Sequence, residues 1–199
     1  MPKITASAKE ARRTQILDAA VRCFARRGYH ATTIEDIVAE SGLSRGALYL
    51  YYPSKEALYL ALSERWSCGL EAALRQQLTP GLAPSVVLQK LLEVTGAYVQ
   101  AEAEACRVLM DGWTLGQDIP ALGEQVRHQQ EQVLLVFQQI LQAGVMRGEF
   151  RANLQLETQA RLLLATLHGL MVQWHIQPGS IDWQQVSKEV LQGLQRQRA

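Results

Sequence analysis

The residues with the most chemical potential crowd into one stretch, Gly42-Leu43-Ser44-Arg45-Gly46, followed by Tyr49, Leu50, Tyr51 and Lys55. Two chemistries compete for it. G-x-S-x-G is literally the nucleophile elbow of many hydrolases, in which the serine attacks an acyl carbon. That elbow needs a buried strand before the serine and a helix after it. The preceding Ile34, Ile37 and Val38 instead recur at three- and four-residue steps, with Glu35, Asp36 and Glu40 opposite them, which is a helical period. Ser44 is then explained as a helix cap without any reaction, so a small hydrolase using Ser44 stands only as the alternative from another class. The second chemistry is recognition of a polyanion. Arg45 can offer two hydrogen bonds to a guanine edge or grip a phosphate, and Leu50 can touch a thymine methyl. The Tyr49 and Tyr51 hydroxyls and the Lys55 ammonium suit phosphate oxygens. Gly46 has no side chain to hold a duplex away. Thr32 and Thr33 stand at a helix start, where free N–H groups attract phosphate.

Two short helices separated by a tight turn must position these groups. Thr33 caps the first, with Asp36 three residues on as a near capping box. Gly42 ends it, since glycine accepts the left-handed conformation after a helix. Ser44 caps the second, and Pro53 closes it by disfavouring helical geometry in the preceding residue. Ala47, Leu48 and Tyr52 share one face and pack inward; Arg45, Gly46, Tyr49 and Leu50 are left outside. Upstream, Ser7 and Glu10 form a capping box for a first helix with the stripe Ile16, Leu17, Ala20, Val21 and Phe24, stopped at Arg26-Arg27-Gly28. Tyr29 is expected in the core of the resulting three-helix head. Residues 1–6 are expected to form an arm, with Lys3 near a nucleic-acid backbone. The outline is a helix-turn-helix, whose second helix enters the DNA major groove.

The run GYHATTIEDIVAESGLSRGALYLYYPSKEAL resembles the DNA-binding signature of the TetR family of bacterial transcriptional regulators. Gly28-Tyr29, Thr32-Thr33, Ile37-Val38, Gly42-Leu43-Ser44, Gly46, Leu48-Tyr49, Tyr51-Tyr52-Pro53 and Lys55-Glu56-Ala57-Leu58 carry the likeness, which extends over roughly residues 10 to 66. The chain departs from the family pattern at Tyr52, where Phe is frequent, and at Leu50, where a polar or ring-bearing residue is frequent. The resemblance implies a dimer built from the last two helices.

The 199 residues accommodate one domain or two small ones. Residues 1–66 hold 10 Lys+Arg against 7 Asp+Glu, and the remainder 10 against 12. A basic front and an acidic back suit a DNA-binding head on a separate body. Cys23, Cys68 and Cys106 are far apart and odd in number, so neither a disulfide framework nor a paired-cysteine zinc site is expected. His168 and His175, about 10.5 Å apart along a helix, are too distant for one ion. No metal or cofactor is expected. The polar N-terminus and the lack of an 18-residue apolar run point to a cytoplasmic protein with no membrane partner.

The chain beyond residue 53 is helical throughout, giving an all-α fold: a DNA-binding domain at 1–53 and a ligand-binding and dimerisation domain at 54–199. A fourth helix, from Ser54 to about Leu78, is shared between them. Tyr98, Cys106, Met110, Asp111, Trp113, Thr114 and His168 interrupt apolar stretches with polar or ring-bearing groups, the composition of a small-molecule pocket. The eighth helix is apolar on nearly all sides and must be buried on all sides. Its Leu163, Leu167, Gly169, Leu170 and Trp174, with Val186, Val190 and Leu194 of the ninth, are the expected dimer contacts. The expected function is a homodimeric repressor that binds palindromic double-stranded operator DNA and is released by a small molecule. An activator, or a regulator without a ligand, is the alternative.

Overall fold

The structure is a computed structural model that describes residues 5–195, and every regular element among them is a helix. In order these are α1 (Ala6–Ala31), α2 (Ile34–Ser41), α3 (Arg45–Tyr51), α4 (Lys55–Gln77), α5 (Pro84–Ala101), α6 (Ala103–Leu115), α7 (Pro120–Met146), α8 (Leu156–Ile176) and α9 (Trp183–Leu194). The all-α expectation holds. Lys3 lies outside the described residues.

Local signals set most boundaries. The Thr33 hydroxyl accepts from the Asp36 N–H at 3.1 Å, and the Asp36 carboxylate accepts from the Thr33 N–H at 2.8 Å, completing the capping box of α2. Gly42 follows in the left-handed region at φ 68°, and its N–H bonds to the Val38 carbonyl. Ser44 caps α3 and Asp182 caps α9. The cap of α1 is Thr5, not Ser7: the Thr5 hydroxyl accepts from the Ala8 N–H at 3.2 Å. Two cap-forming residues stand close together there, and the helix extends to the earlier one. Near its other end α1 is interrupted at Gly28 (φ 74°, ψ 169°), a conformation essentially reserved for glycine.

The chain forms two compact units. The first is the chain up to Cys68 together with Glu104–Gln125; the second is Gly69–Ala103 together with the chain from Val126 onward. Helix α4 contributes its first part to one unit and its last part to the other. Compactness thus places the first half of α4, and α6, with the helix-turn-helix.

In the first unit α1 packs on α2, and α2 on α3. Ile16, Phe24, Ile37, Leu48 and Leu58 are completely buried. Phe24, Tyr29 and Tyr59 form a ring cluster with centroids 5.3–5.7 Å apart. Tyr29 is only half-buried there. The Tyr59 hydroxyl donates to the Val108 carbonyl of α6, and burial raises its pKa. Salt bridges lace the outside: Glu40 pairs with Arg22 and Arg26, Asp36 with Arg27, and Asp18 with Arg65. In the second unit α5 packs against α9 and α8. Gly96 on α5 lets the Trp183 ring lie against the helix backbone, where any Cβ would collide with the indole.

Candidate nucleic-acid interface and effector site

The face of α3 opposite its core contacts is assembled by short-range rules. Leu48 and Tyr52 anchor the helix inward. Arg45, Gly46, Tyr49 and Leu50 are then forced outward, and Leu50 is 84% exposed. Nothing stands within 4 Å of the position a Gly46 Cβ would take. The glycine is therefore not needed for packing within the chain. Arg45 is held in place: its Nη1 stands 2.9 Å from the Glu35 carboxylate of α2, and its guanidinium lies 5.6 Å from the Tyr49 ring centroid. Both groups favour the charged form, the Tyr49 hydroxyl most, and raise the Arg45 pKa. Tyr51 is half-buried and Thr33 exposed. The Ser44 hydroxyl accepts from the Ala47 N–H at 3.2 Å, the capping role read from the sequence.

Two residues expected at the phosphates are otherwise engaged. Thr32 is 1% exposed, and its hydroxyl donates to the Gly28 carbonyl at 2.7 Å and the Cys23 carbonyl at 3.2 Å. Its side chain seals the α1–α2 connection and does not face outward. Lys55 turns back onto the end of α1, where Nζ donates to the carbonyls of Tyr29 and Thr32 at 2.7 and 2.8 Å. Burial lowers its pKa. No local pattern around residue 55 announces this contact, because its partners lie more than twenty positions upstream.

The seven expected effector residues are divided between the two units. Cys106, Met110, Asp111, Trp113 and Thr114 are on α6, in the first unit; Tyr98 and His168 belong to the second. Cys106 is 2% exposed, and burial pushes its thiol up to about 11. Asp111 and Thr114 are exposed, with the Thr114 hydroxyl donating to the Asp111 carbonyl at 2.9 Å. Burial lowers the His168 pKa. Of the seven, Tyr98 lines a cavity of about 690 Å3 in the second unit, between the end of α4, α5 and the start of α9. Glu93, Asp182 and Trp183 share its wall, together with several glutamines and no basic side chain. The Trp183 Nε1 is buried without a hydrogen-bond partner. The sequence reading missed Glu93 and Trp183; the unusual proximity of an indole to Gly96 is visible only in three dimensions. No cluster of metal-ligating side chains occurs among the described residues, and no described helix is long and apolar enough to cross a membrane.

The expected dimer contacts divide by burial. Leu163, Leu167, Trp174 and Leu194 are 1–8% exposed within their own protomer. They are core residues, so a partner cannot reach them unless the core opens. Leu170, Val186 and Val190 are half-buried, and Gly169 is exposed with open space at its Cβ position. The outer face of α8 is a different stripe: Leu162 (54% exposed), Ala165, Gly169, Val172 and Ile176 (78% exposed). Their spacing of three and four residues keeps them on one side of the helix.

Comparison with known proteins agrees with this geometry. The family model described as bacterial regulatory proteins, tetR family, matches residues 16–62, and the one described as BetI-type transcriptional repressor, C-terminal, matches residues 84–198. The HTH-type transcriptional repressor KstR2 of Rhodococcus jostii (strain RHA1) is 28% identical over 193 residues, which are 96% of this chain and 92% of that protein. The uncharacterized HTH-type transcriptional regulator YfiR of Bacillus subtilis (strain 168) is 32% identical over 178 residues, 85% of this chain and 83% of that protein. The crystal structure of a TetR-like transcriptional regulator from Rhodococcus sp. RHA1 superposes with a TM-score of 0.76 at 26% identity, covering 90% of this chain and 91% of that one.

Proposed function

The chain belongs to the TetR family of bacterial regulatory proteins, and on that premise we propose that it is a homodimeric repressor released from a palindromic operator by a small molecule. It is a DNA-binding transcriptional regulator and not an enzyme. One observation carries the reading of α3 as the recognition helix. Leu48 and Tyr52 are buried, while Arg45, Gly46, Tyr49 and Leu50 together face outward with room for a duplex against Gly46. The functional division is DNA binding by residues 1–53 and effector binding with dimerisation by residues 54–199. Thr33, Ser44 and Tyr51 flank the recognition surface and supply phosphate contacts.

Dimerisation uses the outer stripe of α8 with Val186 and Val190 of α9. Exposed Leu and Ile side chains on one helix face supply apolar area that a second copy removes from water. The effector occupies the cavity beside Tyr98, whose carboxylates, two aromatic rings and lack of basic groups favour a ligand bearing positive charge. The cytoplasm is the proposed location.

The test is selection of duplexes from a random library, followed by titration across salt concentrations. A palindromic consensus is expected, with affinity falling by a log–log slope of several units. Failure to enrich any sequence, or enrichment with a slope near zero, overturns the reading.

A further inference from the structure

The cavity beside Tyr98 is walled by the same groups that fasten α9 to α5. Trp183, the first residue of α9, is 6% exposed and lays its ring on the α5 backbone at Gly96. One turn on, the completely buried Ser187 shares its hydroxyl proton between Glu93 Oε1 of α5 at 3.0 Å and the Gln184 carbonyl at 2.9 Å. Gln89 Nε2 donates to the same Glu93 oxygen at 2.9 Å. Asp182 Oδ1 accepts from the Gln184 and Gln185 N–H groups, each at 3.0 Å, and so caps α9. Glu93 of α5, and Asp182, Trp183 and Gln184 at the root of α9, all line the cavity of about 690 Å3. The partners of both carboxylates are neutral donors, and no salt bridge among the described residues involves either one. The Trp183 Nε1 is buried with no hydrogen-bond partner. An unmade bond of this kind is costly, and an acceptor on a ligand relieves it.

Resting on the reading of this cavity as the effector site, we propose that its ligand is an organic ammonium carrying a hydrogen-bond acceptor, and that it acts as a clasp for α9. The ammonium is met by Glu93 from one helix and Asp182 from the other, beside the Tyr98 and Trp183 rings. The acceptor takes the Trp183 N–H. Half of the site belongs to α5 and half to the root of α9, so the site exists only while α9 is docked. Ligand binding is therefore linked to docking: α9 opens only after the ligand has left. Val186 and Val190 lie on the same helix, so a ligand in the cavity also steadies the surface offered to a second copy.

Calorimetry and amide exchange on the full-length protein test the proposal with L-phenylalaninamide at about pH 6, where its α-amino group is protonated. This probe joins an ammonium, a carbonyl acceptor and an aromatic ring. Hydrocinnamamide lacks the ammonium and should bind at least about tenfold more weakly; phenethylammonium lacks the carbonyl and should bind several-fold more weakly. Trp183→Phe should erase the advantage of phenylalaninamide over phenethylammonium. Glu93→Gln keeps an oxygen for Ser187, and Asp182→Asn keeps the cap of α9. Both should fold, yet each should lose at least about tenfold in phenylalaninamide affinity. Glu102→Gln, which removes a charge at the end of α5 outside the cavity, should bind as wild type. With the probe at ten times its Kd, exchange in residues 184–194 should slow about tenfold while α2 is unchanged. Equal affinity for phenylalaninamide and hydrocinnamamide overturns the proposal, as does no binding of either. So does wild-type affinity in both carboxylate variants, or binding without slower exchange in α9. Should Glu93→Gln not fold, Asp182→Asn decides. If the clasp is measured and phenylalaninamide leaves operator affinity unchanged, the effector reading falls and the clasp stands.

Discussion

Arg45 and Glu35 form an ion pair of 2.9 Å across the turn between α2 and α3, on the face proposed to meet DNA. The pair is exposed, so water and salt screen it heavily. Glu35 holds the guanidinium over the Tyr49 ring before DNA arrives, but its charge also opposes phosphate. Glu35→Gln is therefore expected to bind random duplex a few-fold more tightly at low salt. Arg45→Ala should lose roughly 5- to 150-fold on operator, and lose it at one base position if Arg45 reads an edge. Fluorescence anisotropy with operator and mutated operators separates these outcomes. Equal loss on every duplex would assign Arg45 to the phosphate backbone.

Two glycines of the head should respond oppositely to alanine. Gly28 holds φ 74° with ψ 169°, where a Cβ is strained, so Gly28→Ala should destabilise the protein by about 1–3 kcal/mol. Gly46 is helical and meets nothing within 4 Å, so Gly46→Ala should add about 0.5–1 kcal/mol of stability. Its operator affinity should nevertheless fall, because the duplex needs the space. Thermal melts and DNA titration of both variants check this. A Gly46→Ala protein with full affinity would place DNA elsewhere.

Acid should loosen α2 from α1. Hydrogen bonds from Arg26 and Arg22 hold the Glu40 carboxyl below its usual 4.5, and those from the Thr33 N–H and hydroxyl hold Asp36 below 3.8. A carboxylate with a depressed folded pKa stabilises the fold above its unfolded pKa, and this is lost as pH falls through the folded value. Stability should therefore drop below about pH 4.5, and Glu40→Gln should show a shallower drop from a lower starting point. Chemical denaturation from pH 3 to 7 measures it. Parallel curves for the two proteins would exclude Glu40 as a contributor.

The outer stripe of α8 is expected to hold the dimer. Leu162→Glu and Ile176→Glu alter side chains that are 54% and 78% exposed, so the protomer should keep its fold. Two buried like charges at a self-complementary interface should convert the dimer to monomer in sedimentation. An intact dimer in both variants would move the interface off α8.

Gly96→Ala should be costly in the second unit. Its methyl would meet the Trp183 ring, which is 6% exposed and cannot swing clear. Overpacking of this kind commonly costs about 1–3 kcal/mol. The melt should shift downward, and binding of any effector beside Trp183 should weaken with it.

Caps and turns were legible in the sequence because their partners are three or four residues apart. Thr33 with Asp36, Gly42, Ser44 and Asp182 all stand where local rules place them. The outward face of α3 followed from the same short-range logic. The engagements of Thr32 and Lys55 were hidden, since neither residue type indicates which distant carbonyl it will meet. Helix α8 was hidden for another reason. A helix apolar all round does not say which side faces its own core, so Leu163, Leu167 and Trp174 read like Leu162 and Ile176. Residue 106 to 114 posed a similar problem, because polar interruptions mark a helix face without naming the unit it joins.

On the reading of the chain as a DNA-binding regulator, the ion pairs of the first unit also bear on how it would search a genome. Of the seven arginines in residues 1–66, Arg22, Arg26, Arg27, Arg45 and Arg65 each face a carboxylate. Charge already neutralised within the chain releases few counterions from arbitrary DNA. Residence on unrelated sequence is consequently expected to be brief. More of the protein should then diffuse between segments, leaving the few groups of α3 to recognise the operator.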